Sequence, residues 1–402
     1  MPKRRDMRVC ILTTSFPAHK DDIRSPFILE LCKALRQHDV GVDVIAPRYS
    51  HSSSEDVIDG IHIHRFSYFI PSSLQVLTEG GGIPSALKRS WLAKLQFPLF
   101  YLSFLMKALR HAKQCEVIHC QWSFSALVGL VLKIAYRKPL VMTERGASAH
   151  LAMGNWLMRY VLSFVAKRCD FVTANSIQQA SLFVDLGVPR HKVATILNGI
   201  DTMRYRPLPK TTSRNALNLL QKNKIVLFVG WLIERKNVKS LIEAMKIITK
   251  KHNDAFCVLV GEGERRHSLE ALVKKNKLEH VVSFVGSVPP AKIPLYMSAA
   301  DVFVLPSLSE GKPNVVAEAM ACGVPVVATN VAGTKEIVHH GKNGLLVHVN
   351  NDAELAAAIV KVLYHKKLAK TLSQQGLRTI QNAALTWKTC AKKYLDIYQK
   401  IL

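Results

Sequence analysis

Two carboxylates, Glu310 and Glu318, stand eight residues apart in the run Glu310-Gly-Lys-Pro-Asn-Val-Val-Ala-Glu318-Ala-Met-Ala-Cys-Gly-Val-Pro-Val-Val-Ala-Thr329. Asp301-Val-Phe-Val-Leu-Pro306 before it has the apolar content of a buried strand, and Val324 to Thr329 after it that of another. Pro313 suits the first helical position and Gly323 the helix stop. The segment is therefore strand, loop, short helix, strand. A helix N-terminus at the carboxyl end of a parallel strand attracts anionic ligands. A continuous helix would hold the two acids about 12 Å apart along its axis. Gly311 and Pro313 instead leave Glu310 in the loop mouth, with Glu318 about one to two turns deeper. Such a pair suits two parts of one extended ligand.

Cations that could face such a ligand follow an earlier strand, in Phe228-Val-Gly-Trp-Leu-Ile-Glu-Arg-Lys-Asn237. Gly230 permits a close backbone turn, and Arg235 and Lys236 stand near the next helix N-terminus. They form either a diphosphate clamp or a solvated surface pair. Gly261, in Val260-Gly-Glu-Gly-Glu264, is a strand-end turn residue whose alternative role is lining a base. His119 ends the strand Val117-Ile-His119 and either faces a crevice or is structural. Glu144 and Arg145 end the next strand, as crevice lining or as a local ion pair. Gly80-Gly-Gly82 has no strand before it and is expected to be a flexible loop. Nucleophile-elbow, zinc-protease and P-loop motifs are absent, which disfavours those chemistries.

These residues must be positioned by a chain of 402 residues, long enough for two or three domains. A formal charge of +26 favours anionic partners, with plain solubility as the alternative. The eight cysteines are scattered through apolar runs without a C-x-x-C pair, so reduced, buried thiols are expected and no metal site. Met1 to Asp6 is basic, but the apolar run Val9 to Leu12 is too short for a signal peptide. No apolar run reaches transmembrane length, the nearest being Phe97 to Leu109. Residues 83–113 mix Lys and Arg with Trp91, Phe97, Phe100 and Phe104, the composition of an interfacial segment on an anionic membrane surface. The alternative is a pair of helices packed on the first domain. Nucleic-acid binding rests on charge alone, with no recognised module, and is not expected.

Short apolar runs alternate with helical patterns, which implies parallel sheets with crossover helices. Strands are expected at 8–13, 41–46, 61–66, 116–120, 139–143, 170–174 and 193–197. A second set is expected at 224–230, 255–261, 281–285, 301–305, 324–329 and 344–348. Helices are expected at 25–38, 157–168, 237–251, 265–277, 313–322 and 352–364. The turn Asn198-Gly-Ile-Asp201 and the polar stretch through Thr211-Thr-Ser213 mark a seam. The expectation is a domain over 1–205 joined by a terminal helix within 380–402, and a second domain over 206–379. Trp387, Tyr394, Ile397 and Tyr398 are the apolar anchors expected on the terminal helix.

Thr14-Ser-Phe-Pro17, Asn198 to Asp201, Gly230 to Asn237, Ala300 to Ser307 and the acid loop-helix span almost the whole chain. On these the sequence resembles the retaining glycosyltransferases of family 4, the glycosyl transferases group 1. The acid segment matches that family's E-x7-E element. The resemblance implies the GT-B architecture: two doubly wound, Rossmann-like α/β domains facing across a cleft, with a C-terminal helix crossing back to the first. It implies a UDP- or GDP-linked sugar as co-substrate, bound mainly by the second domain, and no cofactor or metal. Glu318 would bind the ribose hydroxyls and Glu310 the transferred sugar near its anomeric centre. Lys236 and Arg235 would neutralise the diphosphate, giving a catalytic set of Glu310, Lys236 and Arg235. Gly230, Gly311, Asn314, Val315 and Gly261 would complete the donor site. A front-face mechanism is the family expectation, while Glu310 as a nucleophile remains open. Ser25, His119 and Arg145 fall on the acceptor side.

Three departures stand out. Trp231 replaces a frequent Arg, Arg145-Gly-Ala-Ser148 replaces His-Gly-Ser-Asp, and Ser25 replaces a glycine. The implied activity is hexosyl transfer to a lipid-linked or cell-envelope glycan, by a cytoplasmic protein peripheral to the inner face of the cytoplasmic membrane. The alternatives are a sugar-nucleotide-binding scaffold without turnover, motivated by Arg145 and Ser148, and a sugar-nucleotide epimerase on the same architecture.

Overall fold

The structure, a computed structural model, describes residues 7–20, 22, 24–49, 52–78, 83–145, 156–383 and 385–402. Gly80 to Gly82, Ser148 and residues 1–6 lie outside the described residues. The chain divides into two units, one of Met1–Gly199 with Trp387–Leu402 and one of Ile200–Thr386. The seam thus falls at the Asn198-Gly-Ile-Asp201 turn, a few residues before the expected position. The C-terminal boundary moves from 380 to 387, because a preceding helix continues to Asn382 and buries Ile380 in the second unit's core.

Among the described residues the first unit carries eight strands: β1 (Arg8–Leu12), β2 (Gly41–Pro47), β3 (Glu55–Ile58), β4 (Ile61–Phe66), β5 (Val117–Gln121), β6 (Leu140–Glu144), β7 (Phe171–Ala174) and β8 (Val193–Thr195). Their order is β3-β4-β2-β1-β5-β6-β7-β8, parallel except for the β3–β4 pair. Strand β3 was not expected, because Glu55 and Val57 are exposed and the segment lacks a buried apolar run. Its hairpin turn is Asp59-Gly60, both at positive φ (51° and 75°), the Asp-Gly signature of a type I′ turn.

Helices α1 (Pro26–Arg36), α2 (Ile83–Arg89), α3 (Trp91–Ala112), α4 (Trp122–Tyr136), α5 (Trp156–Arg168) and α6 (Ile177–Asp185) connect these strands. The sheet grows one way from β1 to β2 and the other way through β5, β6 and β7. Right-handed crossovers therefore place α1 on one face and α3, α4 and α5 on the other. Two separate cores result, one including Phe100, Phe104, Leu132 and Leu162, the other including Ile28, Leu31 and Leu35. The terminal helix buries Tyr394, Ile397 and Tyr398 in the second of these, with Trp387 packed at its margin. Helix α3 runs for 22 residues through Pro98 and is long and apolar enough to cross a membrane, unlike the shorter apolar run expected from the sequence. It is nonetheless a sheet-packing helix, since Phe100 and Phe104 are fully buried against Phe66, Phe100 edge-on and Phe104 stacked.

The described residues of the second unit form six parallel strands: β9 (Lys224–Val229), β10 (Ala255–Val260), β11 (Val282–Gly286), β12 (Val302–Leu305), β13 (Val326–Thr329) and β14 (Leu345–Val347). Their order β11-β10-β9-β12-β13-β14 reverses direction between β9 and β12. In a doubly wound sheet that switch point opens a crevice at the strands' carboxyl ends, where no crossover helix covers the sheet. Helices α7 (Lys210–Ala216), α8 (Val238–Ile248), α9 (Arg266–Lys275), α10 (Ile293–Ala299), α11 (Asn314–Ala321), α12 (Ala332–Lys335), α13 (Asp352–Tyr364) and α14 (Lys366–Asn382) complete the unit, and α15 (Trp387–Ile401) returns to the first. All eight cysteines are buried free thiols.

Candidate functional site

Strand pairing between β9 and β12 brings the loops after them together, although their residues lie far apart in sequence. The loop after β9 ends in a 3-10 turn, Glu234–Lys236, before α8. The loop after β12 carries Ser307 and Glu310. Lys236 Nζ donates to Glu310 Oε1 at 2.6 Å, and the Ser307 hydroxyl donates to the same oxygen at 2.7 Å. Arg235 donates to Glu310 Oε2 at 3.0 Å and to the Ser309 carbonyl at 2.9 Å. The Leu308 amide in turn donates to the Arg235 carbonyl at 2.9 Å, locking the two loops.

Burial sets the electrostatics. The Glu310 side chain is only 5% exposed and that of Lys236 11%, whereas Arg235 is 41% exposed. Burial alone would push the Glu310 carboxyl up, but Lys236 and Arg235 overcome it and hold the carboxyl below its usual range. Burial likewise pulls Lys236 down, and Glu310 only partly restores it. Two cations meet one carboxylate, so the cluster keeps an excess positive charge that an anion would relieve. Arg235 is its solvent-facing member. Both Glu310 oxygens accept hydrogen bonds, so the carboxylate holds Lys236, Arg235 and Ser307 together.

Helix α11 starts at Asn314, one residue later than expected, since Pro313 has extended ψ and serves as its N-cap. Its positive dipole end adjoins the Glu310 loop. The helix ends in a Schellman arrangement, with Gly323 at φ 72°, its amide on the Met320 carbonyl and the Val324 amide on the Ala319 carbonyl. Glu318 lies within α11 with its carboxyl against the Tyr205 hydroxyl and near Arg204. Burial raises it from 4.5 to about 7, and the Tyr205 hydrogen bond and Arg204 only partly offset this. Val315 packs against the core beside it.

Two glycines are required by close approach. A Cβ on Gly261 would lie 1.9 Å from the Gly230 carbonyl oxygen, so the turns after β9 and β10 touch backbone to backbone. A Cβ on Gly333 would lie 2.1 Å from the Gly311 carbonyl oxygen, so the start of α12 supports the Glu310 loop. Gly261 is thus a packing residue of the site's floor. Ser307, Tyr205 and Gly333 were not among the expected site residues. Ser307 followed a recognisable strand end, but Tyr205 and Gly333 carry no local signal. Trp231, on the loop after β9, is 53% exposed.

In the first unit the expected acceptor-side residues separate. His119 is fully buried and cannot meet a ligand. Its Nδ1 pairs with the Tyr398 hydroxyl at 2.6 Å and its Nε2 with the Thr143 hydroxyl at 2.7 Å. Burial, then the charge of Arg145, pulls it down to about 3, so it is a neutral core histidine tying β5 to α15. Arg145 is partly exposed. Its Nε donates to Gln121 at 2.8 Å, it also donates to Asn198 Oδ1, and its guanidinium lies 4.8 Å from the Phe27 ring centroid. Ser25, in the left-handed conformation (φ 47°) before α1, bonds the Ser15 hydroxyl at 3.0 Å. Ser25 and Arg145 therefore converge on the start of α1, at the carboxyl ends of β1, β5 and β6. Gln121, Asn198 and Phe27 complete that group and were not expected there.

Residues 26–204 match the family described as Glycosyltransferase Family 4, and residues 209–379 match Glycosyl transferases group 1. A GDP-mannose-dependent alpha-(1-6)-phosphatidylinositol monomannoside mannosyltransferase of Mycobacterium tuberculosis is 30% identical over 263 residues, covering 62% of this chain and 68% of that protein. The chain belongs to the group 1 glycosyltransferases. Its fold is that of GT-B enzymes: sucrose-phosphate synthase of Thermosynechococcus elongatus superposes with a TM-score of 0.80 at 24% identity over 98% of both chains. Anabaena HepE, solved with UDP-glucose, superposes at 0.77 with 21% identity, over 98% of this chain and 100% of that one. This glycosyltransferase therefore places its Glu310 cluster at the switch point of the second GT-B sheet.

Proposed function

We propose that the protein is a metal-independent, retaining hexosyltransferase that uses a UDP- or GDP-linked sugar. The single observation that carries this is the Glu310 cluster, in which two cations are held by one buried carboxylate beside a helix N-terminus. In the reaction the anomeric carbon–phosphate oxygen bond breaks and a bond to the acceptor oxygen forms on the same face. The acceptor's hydroxyl proton passes to the leaving diphosphate. Lys236 and Arg235 stabilise the charge that builds on that diphosphate, and preorganisation by Glu310 and Ser307 limits the reorganisation needed. Glu318 accepts hydrogen bonds from the ribose hydroxyls, and Gly230, Gly311, Asn314 and Val315 frame the donor. Ser25 and Arg145 serve the acceptor. A lipid-linked or cell-envelope glycan is the proposed acceptor, with the protein cytoplasmic and peripheral to the membrane's inner face through 83–113.

A thermal-shift panel of UDP-, GDP- and ADP-sugars identifies the donor, because ligand at a hundred times its Kd stabilises the folded state by about 2.7 kcal/mol. Radiolabelled transfer with that donor then tests the roles. Lys236→Met and Glu310→Gln are expected to lose most activity. Transfer by both at the wild-type rate would sink the assignment.

A further inference from the structure

We propose that α3, α4 and α5 together form one docking face that lies on an anionic phospholipid bilayer. This deepens the membrane-side reading of residues 83–113 and adds two helices to it. Because β5, β6 and β7 follow β1 in one direction, their crossover helices stand side by side on one face of the sheet, with α4 packed against both α3 and α5.

Each helix turns one face to the core and leaves apolar side chains on the other. On α3 these are Trp91, Leu95, Leu99, Leu102 and Met106, between 40% and 76% exposed. Their spacing of four, four, three and four residues is one stripe of a helix, about 22 Å long. Only 28% of the helix's apolar window is buried. On α4 Ile134 is 80% exposed, and on α5 Trp156 and Tyr160 are 79% and 64% exposed. Large apolar side chains are thus exposed on all three adjacent helices, with a five-residue stripe on α3, which marks this side of the unit as an interaction surface.

Charge identifies the occupant. Residues 83–113, 122–138 and 156–168 contain twelve Lys and Arg and no Asp or Glu, although the chain has 29 acids. Lys94, Arg110, Lys113 and Arg159 are exposed there. Lys107 and Lys133 pair with Glu55 and Asp170 outside these segments, and apolar and aromatic side chains beside the exposed cations suit the boundary between anionic headgroups and acyl chains. The mode is lying on the bilayer. Spanning it would withdraw Phe100 and Phe104 of α3 from the core they share with Phe66.

The test is flotation of the full chain with vesicles of zwitterionic lipid alone or mixed with anionic phospholipid. Binding is expected only to the anionic vesicles and is expected to weaken with salt. Ile134→Gln and Tyr160→Ser lie outside 83–113, and each is expected to weaken it several-fold, as is Lys94→Glu. Leu102→Gln combined with both is expected to weaken it at least roughly tenfold. Unchanged binding in the α4 and α5 variants would overturn the three-helix face. So would vesicle-independent dimerisation that Leu102→Gln abolishes, since a second copy would then cover it. Donor thermal shift on the same variants separates this result from the transferase reading, because none of these residues belongs to the Glu310 cluster.

Discussion

Replacing Glu318 with Gln should make this protein more stable in mild alkali and worse at holding its donor. Burial raises the carboxyl from 4.5 to about 7. Between those values the folded state therefore holds a proton that the unfolded state has released. Folded-state stability falls as pH rises through that window and levels off above about 7. At about 1.4 kcal/mol per tenfold change in proton affinity, the upper bound on the loss is roughly 3 kcal/mol. Gln keeps the shape, still accepts from Tyr205 and cannot ionise. Wild type and Glu318→Gln should match near pH 5 and diverge at pH 8 to 9. For a unit of this size the difference in Tm should be at most roughly 6 to 12 °C. Donor affinity should move the other way, because ribose hydroxyls bond best to the ionised acid. Wild-type affinity is expected to rise by about tenfold per pH unit below 7 and then flatten, while the variant stays weak and flat. Thermal melts across pH with and without the donor measure both. Parallel Tm–pH curves for the two proteins would refute the buried-carboxyl argument, and a pH-independent wild-type affinity would refute the ribose role.

Lys236→Met should cost about 1 to 3 kcal/mol in stability, because Glu310 stays buried with only Arg235 and Ser307, and it should weaken donor binding more than it weakens folding; denaturant midpoints and donor titration check this. Gly261→Ala forces a Cβ against the Gly230 carbonyl and should destabilise the second unit by more than about 3 kcal/mol, read from its unfolding midpoint. His119 is held neutral to about 3, so the unfolded chain takes up its proton first and stability falls as pH drops below about 6.5. Wild type should then lose about 1.4 kcal/mol per pH unit that His119→Gln does not, measured by urea unfolding at pH 6, 5 and 4.

Much of the fold was legible because parallel strands buried on both faces appear as short apolar runs, and thirteen of the observed strands lie within a few residues of those runs. The exception, β3, is an exposed edge whose only local sign was Asp59-Gly60. The acid loop-helix and the Arg235–Lys236 pair were visible as a motif with a helix start and stop around it. His119 was misplaced because a strand end in sequence does not say which neighbour covers it, and here α15 arrives from the far end of the chain. Gly333 and Tyr205 were missed for the same reason: their importance lies in contacts with Gly311 and Glu318, which no local pattern announces.

The sequence by itself determined the alternation of elements, the chemical types at the candidate site and the excess of positive charge, since periodicity, helix signals and composition are local properties. Only the tertiary structure decided that Lys236 meets Glu310, which lies 74 residues further along the chain, through the pairing of β9 with β12. It also decided that the surroundings of Glu318 raise its carboxyl above the usual range, and that three adjacent acid-free helices leave large apolar side chains exposed. The physical reason is common to all three. Desolvation, charge pairing and exposure depend on which surfaces meet, and strand order settles that from residues distant in sequence.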